Sequence, residues 1–173
     1  MGSTLTVDNI VGATTAGNVK LPAGYIVQVQ SGQTSVQLTL NSNQSTQTDV
    51  GLSVTITPKY SNSKIYVIAT GNSYAASNSD NPLHRIVRTV GGTATSIAAT
   101  DYISYRGGGG GGTGTAYVQS VMDSAQSTAA HEYKIQIRSD TGSGTVYFNV
   151  RDAAGGTSEE AQLSTIMVME IAQ

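Results

Sequence analysis

One stretch, from Gly51 to Asn72, restricts the fold of this chain more than any other. Val54 and Ile56 alternate with hydroxyl residues, which is the period of a strand with one buried face. Pro58 then predicts the end of that strand, because proline has no N–H to donate to a neighbouring strand. The following run, residues 64–70, is β-branched or aromatic almost throughout and predicts a strand in the middle of a sheet or between two sheets.

Between these two strands lies Ser61-Asn62-Ser63, three residues with short side chains that bond to their own backbone in turns. The pair therefore predicts an antiparallel unit. Its second strand is expected to form the centre of the core, with the other strands pairing with it or packing over it.

The rest of the chain also predicts strands separated by polar turns, with no helical periodicity in any segment. Gly91-Gly92 and the segment 140–144 predict hairpin turns. The remaining strands are predicted at residues 25–30, 36–40, 83–90, 93–105, 116–122, 132–139, 145–150 and 163–171. Eight to ten short strands favour an all-β fold, an antiparallel β-sandwich of the jelly-roll kind.

The first 24 residues differ from this pattern, because their strand-like pieces are short and are broken by Gly12 and Gly17. We therefore expect a single β-sandwich body at residues 25–173, preceded by an extended N-terminal attachment arm at residues 1–24. Such an arm gains order mainly by pairing with something else.

Charge and cysteine content exclude several classes of protein. Charged residues make up 12% of the chain, the net charge is -2, and cysteine is absent. A chain with this charge lacks the basic patch of a nucleic-acid-binding protein. Without cysteine it has neither disulfides nor thiolate metal ligands. No apolar run approaches the length that spans a bilayer, and the N-terminus lacks the pattern of a secretory signal, so we expect no membrane insertion.

The residues needed for catalysis are sparse. His84 and His131 are the only histidines, and we expect both to be solvated or at the rim of the fold. No HExxH or GxSxG motif occurs, and most aspartates fall in predicted turns, where they stabilise the backbone. We expect no enzyme, no cofactor and no metal site, although sequence spacing leaves a glycosidase-type pair of carboxylates open.

A run of six glycines, Gly107 to Gly112, is the one low-complexity segment. It is not a P-loop, because no Lys-Ser/Thr pair and no helix pattern follow it. Two interpretations remain, a mobile connection between strands and an adaptable surface loop. Tyr102, Tyr105 and Arg106 flank the run and could stack on sugar rings, so they are the candidate receptor-binding residues.

The last predicted strand contains Ile166-Met167-Val168-Met169, which is apolar on both faces. One face is expected to fill the sandwich, and the other to form a subunit contact, where methionine suits an irregular surface. These four residues are the candidate interface of a homotrimer.

Three segments together carry a resemblance: TLTVDNIVGATTAGNVKLPAGYIVQVQ, GLSVTITPKYSNSKIYVIATGN, and YKIQIRSDTGSGTVYFN followed by STIMVMEI. They resemble short phage virion proteins of marine and cyanobacterial phages, of the tail-fibre-like kind. SNSKIYVIA and STIMVMEI also look like the paired strands of the trimeric jelly roll of complement C1q and tumour necrosis factor. The resemblance implies a homotrimer displayed on a virion, and it transfers no catalytic residue.

The leading hypothesis is a phage virion structural protein, a trimeric tail-fibre or spike component. Its N-terminal arm would dock to other virion proteins, and its loops would contact a host-surface glycan. A capsid decoration or head-fibre protein with a mechanical role is the alternative. A polysaccharide depolymerase is the third hypothesis.

Overall fold

The computed structural model describes residues 23–41, 46–76, 81–100, 113–140, 144–150 and 161–173, and all structural statements refer to them. Their regular structure consists of strands, and no helix among them is long and apolar enough to cross a membrane. The ten strands are β1 (Ile26–Thr34), β2 (Leu38–Leu40), β3 (Thr48–Ile56), β4 (Lys64–Ala75), β5 (Pro82–Val90), β6 (Thr93–Thr100), β7 (Thr113–Ser124), β8 (His131–Ser139), β9 (Val146–Phe148) and β10 (Ser164–Ile171).

The first sheet, sheet A, is built around β4, as the sequence predicted. β7 pairs with one edge of β4 along its whole length, from Lys64 to Ala75. The other edge of β4 is shared, since β10 pairs with residues 64–70 and β9 with residues 73–75. β1 then pairs with β10, and β2 with β9. Sheet A is therefore four strands wide, and the two columns on the side of β4 away from β7 are each made of two consecutive strands.

The second sheet, sheet B, has the order β3-β8-β5-β6 and is antiparallel throughout. The chain passes from one sheet to the other between β2 and β3, β3 and β4, β4 and β5, β6 and β7, and β7 and β8, and it returns to sheet A at β9. Two packed sheets, each four strands wide and connected by such crossings, form a jelly roll. The all-β, antiparallel jelly-roll prediction is confirmed.

Two of the predicted hairpins are wrong, although their strands exist. β3 and β4 were expected to pair, but β3 lies in sheet B beside β8 while β4 lies in sheet A. β8 and β9, on the two sides of the segment 140–144, likewise lie in different sheets. The Gly91-Gly92 hairpin is confirmed, since Val90 and Thr93 form the last pair of β5 and β6.

The core lies between the sheets and follows the strand alternation. On β4 and β10 the inward side chains Ile65, Val67, Ile166 and Val168 are fully buried. On β8 they are Tyr133, Ile135 and Ile137, each also fully buried. A buried Val, Leu or Ile side chain contributes about 1.5–3 kcal/mol relative to an exposed one, so this layer provides the main stabilisation.

The sandwich is closed along one side, where β1 approaches β3. A Cβ atom on Gly32 would collide with the backbone oxygen of Ser53, so only glycine allows this approach. The Gln28 side chain also donates a hydrogen bond of 2.7 Å to the Thr57 carbonyl.

Candidate functional site

The two histidines lie in the interior, which corrects the expectation that they would be solvated. Each is 1% exposed. The His84 Nε2 atom lies 2.7 Å from the Ser73 hydroxyl, and the His84 ring packs on Tyr117 with centroids 4.3 Å apart. Burial lowers the pKa of His84 to about 3, against a smaller opposing effect of a hydrogen bond with the Pro82 backbone. The Ser73–His84 pair is thus a neutral packing contact closed to substrate.

His131 has a bridging role at the start of β8. Its Nδ1 and Nε2 atoms each lie 2.7 Å from a backbone carbonyl oxygen, of Ala129 and Ala125 respectively. The ring therefore fixes the connection from β7 to β8. The sequence held a signal for this position, because His131 has the same strand phase as Tyr133, Ile135 and Ile137.

The carboxylates of the described residues also serve the fold. Asp123 on β7 accepts hydrogen bonds from Arg88 (2.9 Å) and from the Tyr133 hydroxyl (2.9 Å), which join the two sheets. Burial, and then the charge of Asp123, raises the pKa of Tyr133. No group of three or more His, Cys, Asp or Glu residues in the described ranges could hold a metal ion.

Glu170 forms the most heavily bonded carboxylate. It is fully buried and accepts hydrogen bonds from the backbone N–H groups of Lys59 and Tyr60, at 2.8 and 3.1 Å. The Ser63 hydroxyl and the Gln28 amide add two more, each at 2.7 Å. Burial alone would raise the pKa of Glu170, but these hydrogen bonds outweigh it and lower the pKa. The arrangement anchors the segment between β3 and β4 to β10.

The outer face of sheet B is charged and solvent-exposed. Asp49 lies 2.7 Å from the Lys134 ammonium and also accepts a hydrogen bond from Gln136. Arg85 in turn donates to the Gln136 side-chain oxygen at 2.8 Å. Burial opposes ionisation of Asp49, but its hydrogen bonds with Lys134 and Gln136 and the charges of Lys134 and Arg85 lower its pKa. This face has the composition of a surface exposed to water.

The outer face of sheet A is different, since it is mainly apolar. One row of directly opposed residues crosses four strands: Val29 on β1, Met169 on β10, Tyr66 on β4 and Met122 on β7. We call this surface the sheet A face, and its apolar members are Ile26, Val29, Tyr66, Ile68, Val118, Met122, Met167, Met169 and Ile171. Lys64 is the one charged residue among the outward positions of the described strands here, and it donates to Ser124.

The sheet A face leaves large side chains in solvent. Val118 is 70% exposed, Met122 52%, Val29 46% and Met167 37%. Next to Met167, an open groove of about 480 Å³ is lined by residues of the paired strands β1 and β10. Exposed apolar side chains gathered on one face, although Thr70 and Thr165 lie among them, favour an interaction site over an ordinary solvent surface.

The four interface candidates from the last strand divide between the two sides of β10. Ile166 and Val168 are fully buried in the core, whereas Met167 and Met169 point outward on the sheet A face. The predicted division into a core side and an outer side is therefore what the strand shows. The subunit contact itself stays a prediction, and Met167 and Met169 are the two residues placed to make it.

The other predicted site lies outside the described residues. Tyr102, Tyr105, Arg106 and the glycine run fall within residues 101–112, which the structure does not describe. The predicted arm also lies outside the described residues, except for Ala23 and Gly24. The Gly24 N–H donates to the Ala172 carbonyl at 2.8 Å, so the last residue of the predicted arm already contacts the body.

Comparison with known proteins yields no family for this chain. No family model matches the sequence, and no curated protein matches it. Among solved structures, it is similar to two crystal structures of a pentameric capsid protein from metagenomic phage sequences, both at 12% identity. They cover 88% of this chain and 83% and 85% of theirs, with TM-scores of 0.31 and 0.29.

A third similar structure comes from the Gt strain of infectious bursal disease virus, at 9% identity and a TM-score of 0.30. It covers 100% of this chain and 41% of its own. Structural similarity at these TM-scores supports no inference about function. The function is therefore inferred from the surfaces of this chain.

Proposed function

We propose that this chain is a structural subunit of a phage virion, a trimeric tail-fibre or spike component. The observation that supports it best is the sheet A face, an apolar surface on a fold whose opposite face is charged. The resemblance of the three sequence segments supports the virion assignment in particular.

The occupant of the sheet A face is a second copy of the same chain. Four strands spaced by about 4.8 Å and eight residues rising about 3.3 Å each give a flat area of roughly 500 Å². Side-chain relief brings the accessible area of such a surface toward the roughly 800 Å² per partner of a stable interface. Because the face is nearly uncharged, copies can pack on it without opposing like charges.

The trimer, rather than another oligomer, follows from the resemblance and from the methionines. Met167 and Met169 are flexible enough to fill the irregular space where three surfaces converge on an axis. Sedimentation velocity at micromolar concentration tests this, with a species of three times the chain mass expected. A purely monomeric boundary would contradict the proposal.

Attachment to the particle is assigned to the N-terminal arm, and host contact to Tyr102, Tyr105 and Arg106. Stacking of a tyrosine on a sugar is comparable with other aromatic contacts, about 0.5–1.5 kcal/mol each, which three linked copies amplify through avidity. Phage particles carrying Tyr105→Ala with Arg106→Ala are expected to adsorb less to the host. Unchanged adsorption, with the protein confirmed on the particle, would remove this loop from the receptor site.

Antibody labelling separates a location on the phage tail from a location on the phage head. Antibody labelling of intact particles is expected to mark the tail, and label confined to the head would favour the decoration or head-fibre alternative. Incubation with host polysaccharide tests the depolymerase hypothesis, and no cleavage is expected.

A further inference from the structure

β7 forms one border of sheet A among the strands that the structure describes. The strand stays in register with β4 without interruption from Lys64–Ser124 to Ala75–Thr113. No described strand pairs with its other edge. Every second residue of β7 therefore directs its backbone N–H and C=O groups away from the sheet, where they can pair with another strand.

The other border strands carry features that block such pairing. β1 is closed against β3 through Gly32, as described above. β3 has an irregular register between Asp49 and Ser53, with Gly51 at a φ of 74°, and a bulge of this kind disrupts edge pairing. The pairing of β6 with β5 shifts between Ile86 and Val87.

β7 has no register shift or bulge in its pairing with β4. It contains no proline, lysine or arginine. Its single charge, Asp123, points inward to Arg88. Val118, near the middle of the strand, is 70% exposed, the highest exposure of any large apolar side chain in the described residues. A long, regular, uncharged edge like this one is a template for an added strand.

We propose that β7 pairs antiparallel with β7 of a second copy, across a two-fold axis at Val118. Directly opposed residues in an antiparallel pair have side chains on the same side of the sheet. In a two-fold symmetric pair, one residue must therefore lie directly opposite its own symmetry mate, with the axis between them. With Val118 on the axis, the large Met122 faces Gly114 of the other copy, and Ser120 faces Ala116. Large residues thus oppose small ones on the outer side of the sheet.

This contact goes beyond the proposed trimer, because it uses a different direction of the same sheet. Edge pairing acts in the plane of sheet A, whereas the trimer contact at Met167 and Met169 acts perpendicular to it. A chain with both contacts links trimers in pairs, which is how two symmetry operations generate a larger assembly.

Disulfide trapping tests the axis directly. The chain has no cysteine, so Val118→Cys introduces the only thiol, next to its own symmetry mate. Opposed strand residues have Cα separations that a disulfide can span. Mild oxidation is expected to give a covalent dimer. Val36→Cys is the matched control, since Val36 is 66% exposed but lies outside the strands. A dimer yield equal to that of the control would overturn the proposal.

A charge on the axis provides a second, independent test in solution. Val118→Lys places two lysines opposite each other and is expected to halve the mass of the largest assembly measured by light scattering, whereas Val36→Lys leaves that mass unchanged. An unchanged mass for Val118→Lys, with an unchanged melting temperature, contradicts the edge contact. A wild-type protein that is strictly trimeric also contradicts the edge contact, but it supports the proposed trimer. A wild-type dimer that Val118→Lys splits into monomers, but that Met167→Lys leaves intact, supports the edge and contradicts the trimer.

Discussion

Asn149 holds together the points at which two strand columns of sheet A are interrupted. Its side-chain amide donates to the carbonyls of Thr34 and Val36, at 3.1 and 3.0 Å, where β1 gives way to β2. Its side-chain oxygen accepts a hydrogen bond of 2.5 Å from Ser164, the first residue of β10. The backbone has a φ of 57°, which asparagine tolerates better than most residues.

Asn149→Ala is expected to lower the free energy of unfolding by about 2–4 kcal/mol, because it leaves buried carbonyls unpaired and strains a left-handed residue. Asn149→Gly removes the same hydrogen bonds but relieves the backbone, so it should be the milder change. Urea unfolding measures both. Asn62→Ala is the control, since Asn62 is exposed and its bond to Gln173 is 3.4 Å long. Equal effects of Asn149→Ala and Asn62→Ala would refute this role.

Individual residues were the level at which sequence reasoning was weakest. Residues 145–150 were predicted as a strand, which does not indicate that the Asn149 side chain will bond to two distant segments, at residues 34–36 and at Ser164. His84 was placed at a rim because a histidine at a strand start is most often wet. Only the packing of His84 on Tyr117, across the sandwich, accounts for its burial.

At the scale of elements, the strands themselves were readable and their partners were not. Alternation located β3 and β8, and apolar runs located β4 and β10, because both patterns are local properties of the sequence. β3 and β4 are neighbours in the chain but lie in different sheets, and alternation alone carries no information about which strand is beside which. The outward and inward sides of β10 followed from phase, but the open edge of β7 required the whole topology.

The segment between β3 and β4 is held by one carboxylate, Glu170, which accepts hydrogen bonds from several donors at once. Glu170→Gln keeps the shape but replaces an acceptor oxygen with an N–H₂ group facing donors. We expect a loss of about 2–4 kcal/mol at pH 7, because hydrogen bonds to a charged group contribute about 1.5–3 kcal/mol each.

The pH dependence has a defined sign. The folded pKa of Glu170 lies below its ordinary value of 4.5. Its contribution is therefore fully present above pH 4.5 and is lost as the pH falls through the folded pKa. The stability difference between wild type and Glu170→Gln, measured by urea unfolding, should shrink between pH 7 and pH 2. Glu132→Gln on the outer face of sheet B serves as the control. A difference independent of pH would show that the carboxylate charge is not what stabilises this segment.

For the whole molecule, the central feature is that its two outer surfaces differ. Sheet B presents Asp49, Lys134 and Arg85 in a hydrogen-bonded network. Sheet A presents a row from Val29 to Met122 without charge. A monomer has no physical reason to keep this difference, since an apolar surface in water favours association. The asymmetry is thus the strongest indication that the protein works as an assembly.

Met167→Lys tests this at the centre of the sheet A face. If a second copy covers Met167, the lysine is desolvated without a partner, which costs about 3 kcal/mol or more. The concentration at which the oligomer dissociates should then rise by about 100-fold. Thr55→Lys is the matched control, because Thr55 is exposed on the outer face of sheet B opposite Glu132. Sedimentation of both variants over a range of concentrations separates the outcomes. Loss of assembly in Met167→Lys alone places the contact on sheet A, whereas equal behaviour of the two variants shows that copies meet elsewhere.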